Sequence, residues 1–186
     1  MVRISIHPVQ IAPLDVWEQY DSTRTLLFQT AESVKKAMLS GAEVQAARFS
    51  GMSTQEVDAW FEGMLEEADA QASLFLIAAA EAALRVDSLR RVYEKKQDEI
   101  SKAFRKVYKK KRDHRKVRLD EDILETWVQK VPQSKMHVGN LRGAFNYRHW
   151  LAHGRYWVPK LGMKYDAAGV FKIVENLFGE IGLPLN

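Results

Sequence analysis

Apolar residues in the first part of the chain recur with the spacing of an amphipathic helix. Between about Asp15 and Leu39 they fall three, four or seven positions apart, at Val16, Tyr20, Leu27, Ala31, Val34 and Met38. This spacing predicts a helix that ends near Gly41. Residues 1–13 carry two prolines and a short Val2, Ile4, Ile6 alternation, which predicts an extended lead-in or one edge strand. The stretch 42–52 is ambiguous.

The longest helical pattern begins at residue 53. Ser53-Thr54-Gln55-Glu56 matches a capping box, in which the serine hydroxyl and the glutamate carboxylate satisfy the first free backbone amides of a helix. The following residues are amphipathic over 54–70 and apolar nearly all round from Ala72 to Leu89. A helix that is apolar on every side is a buried one, so we expect it at the centre of the fold. The helical pattern can continue into the basic residues that follow.

The last third of the chain predicts three more helices. Residues 120–131 form a shorter helix that opens with three acids, and residues 132–139, which hold a proline and a glycine, form a loop. Asn140 then caps a helix from Leu141 to His153, with Gly154 as its left-handed stop, and Asp166 caps the final helix after a loop over 155–165. Strand patterns are almost absent. We therefore expect an all-α bundle of four to five main helices with a short extended N-terminus, in one domain over 1–186.

Composition narrows the class of protein. The 186 residues are 46% hydrophobic, enough for a sizeable core, and contain no cysteine. The absence of cysteine excludes a disulfide scaffold and agrees with a reducing compartment. The longest apolar run, Leu74 to Ala80, is too short to cross a bilayer, and the first residues lack the apolar centre of a signal peptide. We expect a cytoplasmic protein without membrane contact.

Positive charge is concentrated in one segment. Residues 102–118 hold ten Lys/Arg and one acid, whereas the remainder has 18 basic and 23 acidic residues. We interpret residues 98–118 as either a basic insertion or an extension of the preceding helix. A basic stripe on an otherwise acidic protein favours a polyanionic partner, and a solvated, partly disordered charged loop is the alternative. If the partner is RNA, the candidate contacts are Lys109, Lys110, Lys111, Arg112, Arg115, Arg155 and Trp157.

The most distinctive chemistry lies in Arg148-His149-Trp150-Leu151-Ala152-His153-Gly154. An arginine is always charged and binds phosphate oxygens in a fork, and a histidine can move protons near neutral pH. Cleavage of RNA needs little else, because the 2′-hydroxyl is the nucleophile and no metal or cofactor is required. A histidine can act as general base or acid, and an arginine can stabilise the negative charge of the phosphorane.

Helix geometry does not by itself assemble this site. His149 and His153 are one turn apart on the same face, but Arg148 lies about 100° from His149 and about 140° from His153. A break at Gly154, or a two-fold dimer that presents two copies of the helix to one groove, would bring the groups together. The neighbouring Tyr147, Trp150, Tyr156 and Trp157 are candidates for stacking on bases.

Two other interpretations use the same residues. Arg148 can pair with a buried acid, with Glu81 the obvious candidate, while the histidines sit at the negative end of a helix. Alternatively the two histidines can begin a metal site. That site lacks the glutamate of the His-Glu-x-x-His motif, and no third ligand is evident.

The segment Tyr147-Arg148-His149-x-x-x-His153-Gly154 resembles the signature of HEPN-domain ribonucleases, in which an arginine followed by a polar residue precedes a histidine by four to six positions. The apolar helix from Leu74 to Arg85 is similar to the second helix of the bacterial members. Its acid, Glu81, takes the place of the acid that faces the arginine–histidine pair, and Asp87 is the fallback. The resemblance covers about 15–40, 60–95 and 140–182, and the nearest subgroup looks like the RiboL-PSP/MAE-type proteins.

The resemblance implies a HEPN-like helical bundle and a metal-independent endoribonuclease with Arg148, His149, His153 and Glu81 in its active site. It also implies a homodimer whose two motifs meet at a shared cleft. Proteins of this kind often act as toxins of toxin–antitoxin or phage-defence systems and are neutralised by an antitoxin partner, commonly a small nucleotidyltransferase-like protein. Some members have lost activity and serve as RNA- or protein-binding modules, which is the alternative function.

Overall fold

The computed structural model describes residues 10–41 and 47–186, and within these ranges the chain forms six α-helices and no strand. The all-α class is confirmed, with one helix more than predicted. The extended segment predicted around Val2, Ile4 and Ile6 lies outside the described residues. The helices are α1 (Pro13–Ser40), α2 (Thr54–Tyr93), α3 (Glu99–Lys111), α4 (Glu125–Lys130), α5 (Lys135–Ala152) and α6 (Ala167–Ile181).

Local capping sets the ends of the two longest helices. α1 stops at Gly41, whose φ of 68° is left-handed, and α2 starts at Ser53 with the predicted capping box. The Ser53 amide donates to the Glu56 carboxylate over 2.7 Å, and the Glu56 amide donates to the Ser53 hydroxyl over 3.3 Å. With 40 residues, α2 is about 60 Å long and forms the backbone of the fold.

The apolar residues of α2 contribute to two separate clusters. Its second half is the predicted central helix, with Leu76, Ile77 and Leu84 fully buried against α5, α6 and the segments between them. Its first half packs with the second half of α1 in a smaller cluster of Ala31, Val34, Phe49, Val57 and Phe61. The main core therefore lies at the end of α2 that carries Glu81. No helix in the described ranges is both long and apolar enough to cross a membrane.

The basic segment is a helix of its own. α2 ends at Tyr93, and Lys95 takes a left-handed φ of 54°, so the helix does not run on. Asp98 then caps α3 by accepting a 2.9 Å hydrogen bond from the Ser101 amide. Phe104 is fully buried and meets Trp127 edge to face at 5.9 Å. The alternative of a partly disordered loop is therefore wrong for residues 99–111, because an apolar side of this helix packs into the core.

The predicted loop over 132–139 is also wrong. Pro132–Ser134 form one 3₁₀ turn, and α5 already begins at Lys135, so that Asn140 lies inside the helix rather than at its cap. A glycine such as Gly139 costs a helix about 1 kcal/mol relative to alanine. Val138 and Leu141 are both fully buried, and each contributes roughly 1.5–3 kcal/mol from burial. Burial therefore outweighs the unfavourable propensity of the glycine.

The predicted helix over 120–131 is present in two parts. Leu119–Leu124 form a π-helical stretch that continues into α4. The acids at its start act as expected, because the Asp122 carboxylate accepts a 2.8 Å hydrogen bond from the Arg118 amide. Asp166 likewise caps α6 through a 2.8 Å bond from the Gly169 amide.

Candidate active site

Arg148 of α5 and Glu81 of α2 form an ion pair. Nη1 of Arg148 lies 2.7 Å from Oε2 of Glu81, and the exposed fractions of the two side chains are 39% and 21%. The pairing exists because α5 crosses the buried half of α2 and presents the arginine to the side of that helix on which the half-buried Glu81 lies. Arg148 is thus held at one end by an acid, while part of its guanidinium faces solvent.

Arg85 is a component of this cluster that the sequence interpretation missed. Its Nε donates to Oε1 of Glu81 over 2.9 Å, and its Nη1 donates to the carbonyl oxygen of Val117 over 3.2 Å. One carboxylate therefore lies between two guanidinium groups, which leaves the trio with a net positive charge. The signal available in the sequence was the four-residue spacing between Glu81 and Arg85, which places both on one helix face.

Asp87, the fallback acid, has a different partner. Its carboxylate is 2.7 Å from Nε of Arg91, whose guanidinium lies 5.1 Å from the centre of the Trp127 ring. Burial raises the pKa of the Asp87 carboxyl, and the hydrogen bond from Arg91 opposes this effect. Asp87 therefore belongs to the packing of α2 against α4 and not to the Arg148 cluster.

His149 and His153 lie together at the C-terminal end of α5. Their ring centroids are 4.2 Å apart, and both residues are exposed to solvent. The His153 amide donates to the His149 carbonyl over 3.1 Å, which makes His153 the C-cap of the helix. Gly154 follows with a φ of 78° and ends the helix as predicted. Two imidazoles at contact distance can together accept and deliver protons at one solvent-facing position.

Within one chain, Arg148 and the two histidines contact different residues. Arg148 contacts Glu81, which also accepts from Arg85, whereas His149 contacts His153 and lies 6.1 Å from Trp157 between ring centroids. No hydrogen bond links Arg148 with either histidine in the part of the chain described. The turn at Gly154 therefore does not bring Arg148 into hydrogen-bond contact with His149 or His153 within one subunit.

The aromatic neighbours are unequal in their access to a ligand. Tyr147 is buried and stacks between Trp150 and Tyr165, so the suggestion that it stacks on a base is wrong. Trp150 donates through Nε1 to the Trp157 carbonyl over 2.6 Å, which fixes the loop after α5. Tyr156 is 82% exposed and meets Trp157 edge to face at 4.5 Å. Of the four rings, that of Tyr156 is the most accessible.

The predicted RNA contacts differ in their charge partners. Arg155 binds Glu67 through both terminal nitrogens, at 2.9 and 3.0 Å. Lys111 lies 2.8 Å from Asp122, and Arg115 lies 3.2 Å from Asp113. The other three charged candidates are exposed and have no ion pair among the described residues; they are Lys109, Lys110 and Arg112. The seventh candidate, Trp157, is half-buried.

The histidine pair has no further metal ligand beside it in the described residues. Residues 10–41 and 47–186 contain no group of three or more His, Asp or Glu side chains placed to hold one ion. The described residues therefore add no third ligand to His149 and His153.

Comparison with protein-family models, with curated proteins and with solved structures finds no match for this chain. The resemblance to HEPN ribonucleases consequently depends on the motif around Arg148 and on the acid at Glu81.

Proposed function

We propose that this protein is a metal-independent endoribonuclease that serves as a toxin in a toxin–antitoxin or phage-defence system. One observation carries the proposal: Glu81 holds Arg148 on the last turns of α5, where His149 and His153 are exposed and adjacent. A fixed cation beside two proton carriers is the set of groups that RNA cleavage by its own 2′-hydroxyl requires.

In the proposed reaction, the 2′-oxygen attacks the neighbouring phosphorus while the bond from phosphorus to the 5′-oxygen breaks. One histidine takes the proton of the 2′-hydroxyl, and a histidine delivers a proton to the leaving 5′-oxygen. His153 is the principal acid and base, and His149 assists it. Arg148 binds the phosphate oxygens and stabilises the charge that develops on them, while Glu81 positions the arginine. The products are a 2′,3′-cyclic phosphate and a 5′-hydroxyl.

The proposed active form is a homodimer. Within one subunit Arg148 is turned towards α2, and the histidines face solvent at the end of α5. A two-fold axis beside α5 would allow the histidines of one subunit to meet the arginine of the other across a shared cleft. The same cleft is the surface that an antitoxin protein would block.

The test is incubation of the purified protein with mixed RNA in EDTA. We expect fragments with 2′,3′-cyclic phosphate ends, and a loss of rate of roughly 10²–10⁴-fold in His153→Ala. Arg148→Ala should lose activity as well, when all variants are assayed at a temperature at which each is fully folded. The matched control is His137→Ala, a histidine at the opposite end of the same helix.

The alternative is a non-catalytic module that binds RNA or protein. It is favoured by the fact that Arg148 already has a protein partner in Glu81 and forms no hydrogen bond with His149 or His153 in the described chain. Wild-type protein that binds RNA but yields no cyclic phosphate, in both monomeric and dimeric fractions from gel filtration, would establish this alternative and refute the ribonuclease.

A further inference from the structure

A groove between α3 and α4 collects basic side chains from both helices. It has a volume of about 590 Å³ and is lined by Lys102, Arg105, Lys106 and Lys109 from α3 and by Lys130 from α4, with Glu99 as the one lining acid. Lys130 lies outside the basic run at 102–118 and was not among the predicted contacts. The fold therefore adds a cation to the basic stripe that a count along the sequence does not include.

Most of these cations are available to a ligand. Lys102 is engaged by Glu99 at 2.8 Å, and Arg105 donates to the Lys96 carbonyl. Lys106, Lys109 and Lys130 are exposed and form no ion pair within the described ranges. The hydrogen bond from Lys102 is the main cause of the lowered pKa of Glu99, and the charges of Lys130 and Lys106 add to it. Lysines from both walls therefore act on the same point of the groove.

We propose that this groove binds the phosphodiester backbone of a single RNA strand. Lys102, Lys106 and Lys109 recur along α3 at axial intervals of about 4.5–6 Å, because each residue advances the helix by about 1.5 Å. A row of evenly spaced cations suits a ligand with evenly repeated negative charges, and neutralising phosphates releases counterions. An acidic polypeptide is the competing occupant, and competition with polyglutamate distinguishes it from RNA.

The helix that forms one wall of the groove, α3, also contacts α2 about two turns from Glu81. The Tyr108 hydroxyl is 2.9 Å from the Ser88 hydroxyl on α2, and Ser88 lies seven residues beyond Glu81. That separation is about 10 Å along the helix axis. Lys109 follows Tyr108 directly. The choice of RNA as the occupant rests on the proposed function, whereas the choice of the groove rests on the arrangement of charge.

The experiment compares Lys106→Gln/Lys130→Gln with the control Lys36→Gln/Lys172→Gln, which removes the same charge from α1 and α6. Fluorescence anisotropy follows binding of a labelled single-stranded RNA, and of DNA of the same sequence, between about 50 and 200 mM KCl. The affinity falls with salt, and each lost phosphate contact reduces the magnitude of the slope of log affinity against log salt by about 0.7 for a single strand. We expect the groove variant to lose about 1.4 from the slope and to bind RNA roughly tenfold more weakly at about 0.1 M salt, while the control matches wild type.

Three results would overturn the groove proposal. The groove and control variants could bind RNA equally well, DNA could bind while RNA does not, or polyglutamate could displace RNA at equal charge concentration from wild type but not from the groove variant. The chemistry is measured separately, as cyclic-phosphate formation by wild type. If wild type forms no cyclic phosphate but its RNA binding depends on the groove, the ribonuclease proposal is refuted and the groove proposal stands. If the groove variant cleaves RNA with an unaltered KM, the groove proposal alone is refuted.

Discussion

Arg148 and Glu81 are 67 positions apart in the chain, yet Nη1 of the arginine lies 2.7 Å from Oε2 of the glutamate. The second oxygen of the same carboxylate accepts from Arg85. A single negative charge therefore separates two guanidinium groups. This arrangement makes the effects of substitution unequal, because the glutamate has two charged partners and Arg148 has one.

Glu81→Gln should lower the free energy of unfolding by about 2 kcal/mol, the value of a hydrogen bond to a charged group, since it leaves two cations adjacent without their carboxylate. Arg148→Gln should cost about 1 kcal/mol or less, because Glu81 keeps Arg85. Urea denaturation at neutral pH measures both. Glu62→Gln, at an exposed position of the same helix, is the control and should change stability by less than about 0.5 kcal/mol. A Glu81→Gln protein as stable as this control would show that the cluster does not stabilise the fold.

Two glycines of α5 should respond to alanine in opposite directions. A methyl group on Gly143 would overlap the hydroxyl oxygen of Tyr165, a buried ring that stacks on Tyr147, whereas Gly139 has nothing within 4 Å. Gly143→Ala should therefore destabilise the protein by about 1–3 kcal/mol through overpacking. Gly139→Ala should stabilise it by up to about 1 kcal/mol through helix propensity. Thermal unfolding of the two variants checks the difference, and equal stabilisation by both would contradict the packing of Tyr165 on α5.

The Tyr20 hydroxyl should make stability depend on pH in the alkaline range. It donates to Asp69 over 3.0 Å, and burial followed by this hydrogen bond raises the pKa of Tyr20 from 10.0 to about 12. The folded state therefore keeps a proton that the unfolded state releases near pH 10. The stabilisation is complete below pH 10 and is lost as the pH rises towards 12.

Tyr20→Phe should consequently be less stable than wild type at pH 9, and the difference should shrink between pH 10 and 12. Melting temperatures across that range measure it. Tyr93→Phe, at a site that is 70% exposed, should follow the wild-type profile. A constant difference between Tyr20→Phe and wild type over the whole range would count against the raised pKa.

Arg155 should hold the loop after α5 through its two contacts with Glu67. The hydrogen bond from Arg155 is the main cause of the lowered pKa of Glu67, so the contribution is present above the ordinary glutamate pKa and is lost as the pH falls through the lowered value. Because the pair is exposed, its removal should cost less than about 1 kcal/mol of global stability. The effect should instead appear locally, as faster cleavage by trypsin after Lys160 and Lys164 in Glu67→Gln. Unchanged cleavage in that variant would mean that the pair does not restrain the loop.

Features that depend on residues close in sequence could be predicted. The capping box at Ser53 and Glu56, the cap at Asp166 and the left-handed stops at Gly41 and Gly154 each involve groups within a few positions of one another. Hydrophobic spacing likewise located the buried half of α2. The start of α5 was missed because the propensity of Gly139 pointed to a loop, and only the burial of Val138 and Leu141 reverses that preference.

The features of the candidate site also divide into those that the sequence predicted and those that only the structure revealed. The neighbouring positions of His149 and His153 follow from their spacing on a helix, and Glu81 was identified by its resemblance to an acid of HEPN ribonucleases. The second cation on Glu81, Arg85, was missed although its four-residue spacing held the signal. The partners of Arg155 and Lys111, and the lysine that α4 adds to the basic groove, were not predictable from periodicity. Each depends on which face one helix turns towards another.

The sequence by itself therefore determined the helical class, most helix boundaries and the residues capable of acid–base and phosphate chemistry, because these follow from interactions within a few turns of one helix. The tertiary structure alone decided that the basic segment is a packed helix, that one carboxylate joins Arg148 to Arg85, and that no hydrogen bond joins Arg148 to His153 within the described chain. Those outcomes depend on helix packing. The burial of residues such as Phe104 and Leu84 sets the rotation and position of each helix. Rotation and position in turn decide which side chains far apart in the chain come into contact.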